Sequence, residues 1–118
     1  MHTILVVDDD DHMRQFWTDV LLEQGYSVLT ADNGATALKL IDQQRPTLII
    51  ADIMMPGVDG IDLCISLRSL ETTAAIPIVV CSATQEATIQ NECSYNAFFM
   101  KPFNLNQLLS LVASYAAA

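Results

Sequence analysis

Short apolar runs of strand length alternate along this chain with stretches whose apolar residues recur every three or four positions. The run Thr3–Val7 is β-branched and apolar, and it stops at Asp8 and Asp9. Asp11 is placed to cap a helix carrying Met13, Phe16, Trp17, Val20 and Leu21 at helical spacing, with Gln24 in its last turn and Gly25 as its stop. Residues 26–30 predict a short strand near a sheet edge. Asp32-Asn33-Gly34 is turn chemistry, and Ala35, Ala37, Leu38 and Ile41 mark a second helix that ends before Pro46. Residues 47–51 read as a strand buried on both faces, ending at Asp52, after which Pro56, Gly57 and Gly60 permit only turns.

The second half repeats the theme. Ile61, Leu63, Cys64, Leu67 and Leu70 predict a third helix reaching Thr72-Thr73. Pro77 introduces residues 78–81, a fourth buried strand ending at Ser82. Between Ala83 and Asn96 the helical pattern is poor, with frequent Thr, Gln and Asn. Ala97–Met100 predicts a fifth strand ending at Lys101-Pro102, and Asn104 caps a last helix carrying Leu105, Leu108, Leu109, Val112 and Ala116. Strand and helix units in this alternation argue for one α/β domain over residues 1–118, a doubly wound parallel sheet with helices on both faces.

Composition narrows the chemistry. With 118 residues, 52% of them apolar, the chain can bury a real core. Fourteen acidic against five basic residues leave a net charge of −9, which repels nucleic-acid phosphates and anionic membranes, so neither is an expected direct partner. Cys64, Cys81 and Cys93 have no short spacing and no adjacent histidine, so neither a zinc site nor a disulfide framework is predicted. An odd cysteine count, no apolar leader and no apolar run near the roughly eighteen residues of a span lead to the expectation of a soluble cytoplasmic protein.

Parallel strands align their C-terminal ends, which is where ligands bind in open α/β sheets. Asp8, Asp9, Asp52, Ser82 and Lys101 should therefore converge on one edge. Clustered carboxylates repel one another unless a cation neutralises them, and oxygen-only donors suit Mg²⁺ or another hard divalent ion. A hydroxyl and an ammonium beside that metal could grip a phosphoryl group, leaving one carboxylate free as nucleophile. Each residue also has a plainer reading. Asp8-Asp9 alone is more often a helix-start feature, and Ser82 can merely satisfy backbone, with Thr84 a competing hydroxyl. Asp10 and Asp11 suit the positive end of the first helix. His2 and His12 read as surface residues.

The chain resembles, over essentially its whole length, the receiver domain of two-component response regulators. Four segments carry the resemblance: residues 4–9 (Ile-Leu-Val-Val-Asp-Asp), residues 52–60 (Asp-Ile-Met-Met-Pro-Gly-Val-Asp-Gly), Ser82-Ala83 and Lys101-Pro102-Phe103. It implies a flavodoxin-like sheet in the order 2-1-3-4-5, with Asp52 accepting phosphate from a histidine kinase or a histidine phosphotransfer protein. Asp8 and Asp9 would hold Mg²⁺ or Mn²⁺ together with Asp52 and the backbone carbonyl of Met54, Asp9 directly and Asp8 largely through water. Ser82 and Lys101 would hold the phosphoryl group, and Phe98 falls at the aromatic position that reports its presence. The implied role is switching of an effector protein or domain, with phosphorylation-dependent dimerisation also open, and no enzymatic activity beyond the domain's own phosphorylation and dephosphorylation.

Three departures from the family pattern stand out. The interval from Ser82 to Lys101 is short, so the fourth helix is expected to be shortened. Ser94-Tyr95 replaces a small pair before the fifth strand, and Phe98 lacks the hydroxyl of the more usual tyrosine. Two rivals follow: a receiver-like interaction module that works without phosphorylation, and a Mg²⁺-dependent phosphohydrolase, for which 118 residues leave little room to build a substrate pocket.

Overall fold

Side chains alternate between the two faces of a strand, and that alternation decides which helices cover which face of this sheet. The structure, a computed structural model, describes residues 2–52, 60–82, 94–100 and 104–116. Five strands pair in parallel in the order β2-β1-β3-β4-β5: β1 (Thr3–Val7), β2 (Ser27–Ala31), β3 (Leu48–Asp52), β4 (Ile78–Ser82) and β5 (Ala97–Met100). Strands β1, β3 and β4 are buried along their whole lengths, as unbroken apolar runs require when both faces are covered. β2 lies at the edge, as expected, and is only half-buried over most of its length.

The described helices are α1 (Asp11–Glu23), α2 (Gly34–Gln43), α3 (Gly60–Arg68) and α4 (Leu105–Ala116). Leu5 and Val7 of β1 and Ile49 and Ala51 of β3 point to one side, where they pack with Ala37 and Ile41 of α2 and Ile61 and Leu67 of α3. The alternate residues Ile4, Val6, Leu48 and Ile50 point to the other, where Trp17 and Leu21 of α1 and Leu108 and Val112 of α4 cover them. Two apolar layers thus sandwich the sheet.

Several boundaries differ from the sequence expectation. α1 is capped by Asp10, whose carboxylate accepts the backbone N–H groups of His12 and Met13, so Asp11 is the first helical residue and not the cap. With four consecutive aspartates at residues 8–11, composition alone could not choose between neighbours. Gly25 follows the last turn at φ +93°, a left-handed conformation that costs a glycine little. α3 ends at Arg68, short of the expected Thr72-Thr73, and Leu70 is exposed beyond it. The expected cap Asn104 is in place, accepting from Gln107 N–H, and Asn33, read from the sequence only as a turn residue, caps α2 by accepting from Thr36 N–H. Most of the stretch expected to hold the shortened fourth helix lies outside the described residues.

Cysteine usage is a second correction. Cys64 is disulfide-bonded, while Cys81 is a buried thiol in no disulfide. A bond closed between positions distant in sequence leaves no short-spacing signal to read.

Arg68 ties the end of α3 to the entry of β5. Its guanidinium donates to the carbonyls of Ser94, Ala74 and Ile76 and to the side-chain oxygen of Asn96, and burial lowers its pKa from the ordinary arginine value. Asn96 in turn accepts Ile78 N–H through the same oxygen and donates its own N–H to the Ile78 carbonyl, so Arg68 also braces the start of β4. Arg68→Ala should lower stability by about 1.5–3 kcal/mol, the range for losing a charged hydrogen-bond donor. The urea midpoint measures it, and a loss under about 0.5 kcal/mol would remove this bracing role.

Candidate functional site

The β1–β3 register pairs Val7 with Ala51, so the next residues, Asp8 and Asp52, leave adjacent strands at the same level. Both follow the even positions that face α1 and α4, so they emerge side by side. Asp9 lies just past the strand end. One carboxylate oxygen from each of Asp8, Asp9 and Asp52 comes within 4.8 Å of the others. Asp8 and Asp52 are 4% and 8% exposed, whereas Asp9 is open to solvent.

The turn after β1 is held by local hydrogen bonds. Asp8 donates its N–H to the Ala31 carbonyl at 3.1 Å, and its carboxylate accepts the Asp10 N–H at 2.9 Å, an Asx turn. Asp10, doubling as the α1 cap, fixes where the helix begins relative to the acids. The Arg14 guanidinium reaches back from α1 to donate to the Asp8 carbonyl at 2.7 Å and to the Asp11 carboxylate. Sequence reading missed Arg14, because its distance along α1 hides that one helical turn brings it back over the strand end.

Of the other predicted residues, Ser82 ends β4 one position past Cys81, the register partner of Asp52, and is fully buried. It stands at the same sheet edge as the acids. Phe98 in β5 is half-buried, paired with Val80 in register and packed against Tyr95 with ring centroids 6.3 Å apart. The ring of Tyr95 is therefore accommodated against the core where a small residue was expected. Met54 and Lys101 lie outside the described residues. His2 and His12 are exposed, as expected.

Three carboxylates at this spacing fit a hard divalent cation. Two oxygens bound on opposite sides of Mg²⁺ stand roughly 4.2 Å apart, so acids within 4.8 Å can enclose the ion with a water in place of one direct bond. A hollow of about 450 Å³ lies between α2 and α3, lined by residues that include Leu38, Asp42, Leu67 and Thr73. It opens at the other edge of the sheet and contains none of these acids.

A doubly wound parallel sheet with three clustered carboxylates at its C-terminal edge defines a domain with a candidate divalent-cation site. Residues 4–113 match the family model of the response regulator receiver domain. The chain is 35% identical over 112 residues to the DNA-binding response regulator MtrA of Mycolicibacterium smegmatis, an alignment covering 92% of this chain and 48% of that protein. Its fold matches a putative response regulator from Chloroflexus aurantiacus with a TM-score of 0.90 at 34% identity, covering 99% and 98% of the two chains. It also matches the response regulator TrrA of Thermotoga maritima, solved with Mg²⁺ and BeF, with a TM-score of 0.87 at 30% identity over 98% and 99%. The chain belongs to the response regulator receiver family and so to two-component signalling, and it spans about half the length of the curated relatives it matches. Receiver domains of this kind bind Mg²⁺ at an acidic pocket and are not enzymes in the usual sense. No helix among the described residues is long and apolar enough to cross a membrane.

Proposed function

We propose that this domain accepts a phosphoryl group on Asp52 from the phosphohistidine of a histidine kinase or histidine phosphotransfer protein, in a reaction that needs Mg²⁺ or Mn²⁺. The observation that carries this reading is the convergence of Asp8, Asp9 and Asp52 within 4.8 Å at the sheet edge. An Asp52 carboxylate oxygen attacks phosphorus as the bond from phosphorus to the donor imidazole breaks, and the released imidazole takes up a proton. Asp8, Asp9, Asp52 and the Met54 carbonyl would hold the metal, which when bound would neutralise charge on the acids and the phosphoryl oxygens. Lys101 adds a second positive charge on those oxygens, and Ser82 donates a hydrogen bond to one of them.

Phosphorylation of Asp52 then biases the domain between two conformations, with Phe98 shifting in response. The output passes to an effector protein or domain or to a second copy of this chain. A net charge of −9 argues against direct contact of this domain with nucleic acid or a membrane. The domain acts in the cytoplasm. Incubation with acetyl phosphate and Mg²⁺ should give hydroxylamine-labile phosphate, and none should form when EDTA is present from the start. Labelling that persists undiminished in EDTA would exclude the metal-dependent mechanism.

A further inference from the structure

We infer that Arg14 is a positioning residue for the metal site, holding the peptide that aims Asp9 at the cation. The inference rests on the Mg²⁺ reading above and goes beyond it by naming a residue that touches neither metal nor phosphoryl group. The turn from Asp8 to Asp10 is held in part by Asp8 N–H bonded to the Ala31 carbonyl of β2 and by Asp10 N–H bonded to the Asp8 carboxylate. A side chain of α1 adds to these, with Arg14 Nη1 donating to the Asp8 carbonyl at 2.7 Å. That carbonyl belongs to the peptide joining Asp8 to Asp9, so its direction sets the plane from which the Asp9 Cα, and with it the carboxylate, departs.

The geometry suits arginine in particular. One nitrogen holds the Asp8 carbonyl while the other holds the Asp11 carboxylate, so the fork spans the strand end and the first residue of α1. The side chain is only 20% exposed, while Asp11 is 86% exposed, so the buried end of the fork is the one that grips the peptide. α1 supplies the fixed base, since Arg14 N–H bonds the Asp10 carbonyl and the Arg14 carbonyl accepts the Thr18 hydroxyl. A lysine has a single nitrogen and would keep the charge without the fork.

Two effects of removing Arg14 oppose each other. Loss of a positive charge near three acids favours cation binding, but that charge is partly solvated and screened. Loss of the peptide anchor disfavours it, and groups that orient metal ligands are typically worth 10- to 100-fold in affinity. The anchor should win. The test is an amide NMR titration of the metal-free protein with MgCl₂, which reads affinity without any phosphorylation step. Arg14→Met, which keeps the aliphatic stem, should raise the Mg²⁺ Kd about tenfold and shift the Asp9 and Asp10 amides before metal is added. Arg14→Lys should fall between, and Arg45→Met, at the opposite edge, should leave Kd unchanged. An unchanged or lower Kd in Arg14→Met, with wild type binding normally, overturns the role of Arg14 alone. A wild-type protein that binds no Mg²⁺ overturns both this role and the metal site itself.

Discussion

Asp52→Asn should abolish phosphoryl labelling, by a factor on the order of 10³ or more, while making the metal-free protein more stable. The first half follows from removing the nucleophile, for which a neutral amide oxygen is a poor substitute. The second follows from electrostatics. Three carboxylates lie within 4.8 Å of one another, two of them nearly buried. A pair of like charges at that distance costs about 1 kcal/mol even in water and more near a protein surface. Removing one should raise the melting temperature without Mg²⁺ and shrink the rise that Mg²⁺ produces, because the ion then has one ligand fewer. Labelling with acetyl phosphate and paired melts with and without Mg²⁺ check both halves. Labelling near the wild-type level would refute the assignment of Asp52, and a lower metal-free melting temperature would refute the repulsion.

The second large effect concerns the scaffold behind the site. Trp17 on α1 is almost fully buried against Ile4 and Val6 of β1, Leu48 and Ile50 of β3, and Leu21 one turn on, with an edge-to-face contact to Phe16 at 5.5 Å. These are the strand residues leading directly to Asp8 and Asp52. Trp17→Ala should cost about 3–5 kcal/mol, a large share of the roughly 5–15 kcal/mol that holds a domain of this size together. Urea unfolding measures it, and a cost below about 1 kcal/mol would mean that α1 is not anchored through this ring. Because α1 also carries Asp10 and Arg14, loosening it should weaken Mg²⁺ binding as well.

Much of this was legible in the sequence for physical reasons. Strands buried on both faces must be apolar throughout, so a carboxylate or hydroxyl where the run stops marks the sheet edge. Asp8, Asp52 and Ser82 were all placed that way, and the register bears out the placement. Phe98 was found at its position in β5, while Met54 and Lys101 fall outside the described residues. What could not be read depends on contacts across the fold. The disulfide at Cys64 depends on a tertiary approach. Arg14 and Arg68 matter through where their long side chains end, which no periodicity encodes. The α3 boundary was overextended because Leu70 continues the apolar spacing although the chain has already left the helix at Arg68.

The central claim is that phosphate enters this domain at one carboxylate among the three clustered at the sheet edge. Reduction of the acetyl-phosphate-treated protein with borohydride converts an aspartyl phosphate to homoserine, and tandem mass spectrometry locates the change. The account predicts homoserine at residue 52 alone, dependent on Mg²⁺. Homoserine at residue 8 or 9 instead, or phosphate recovered only on His2 or His12, would contradict it.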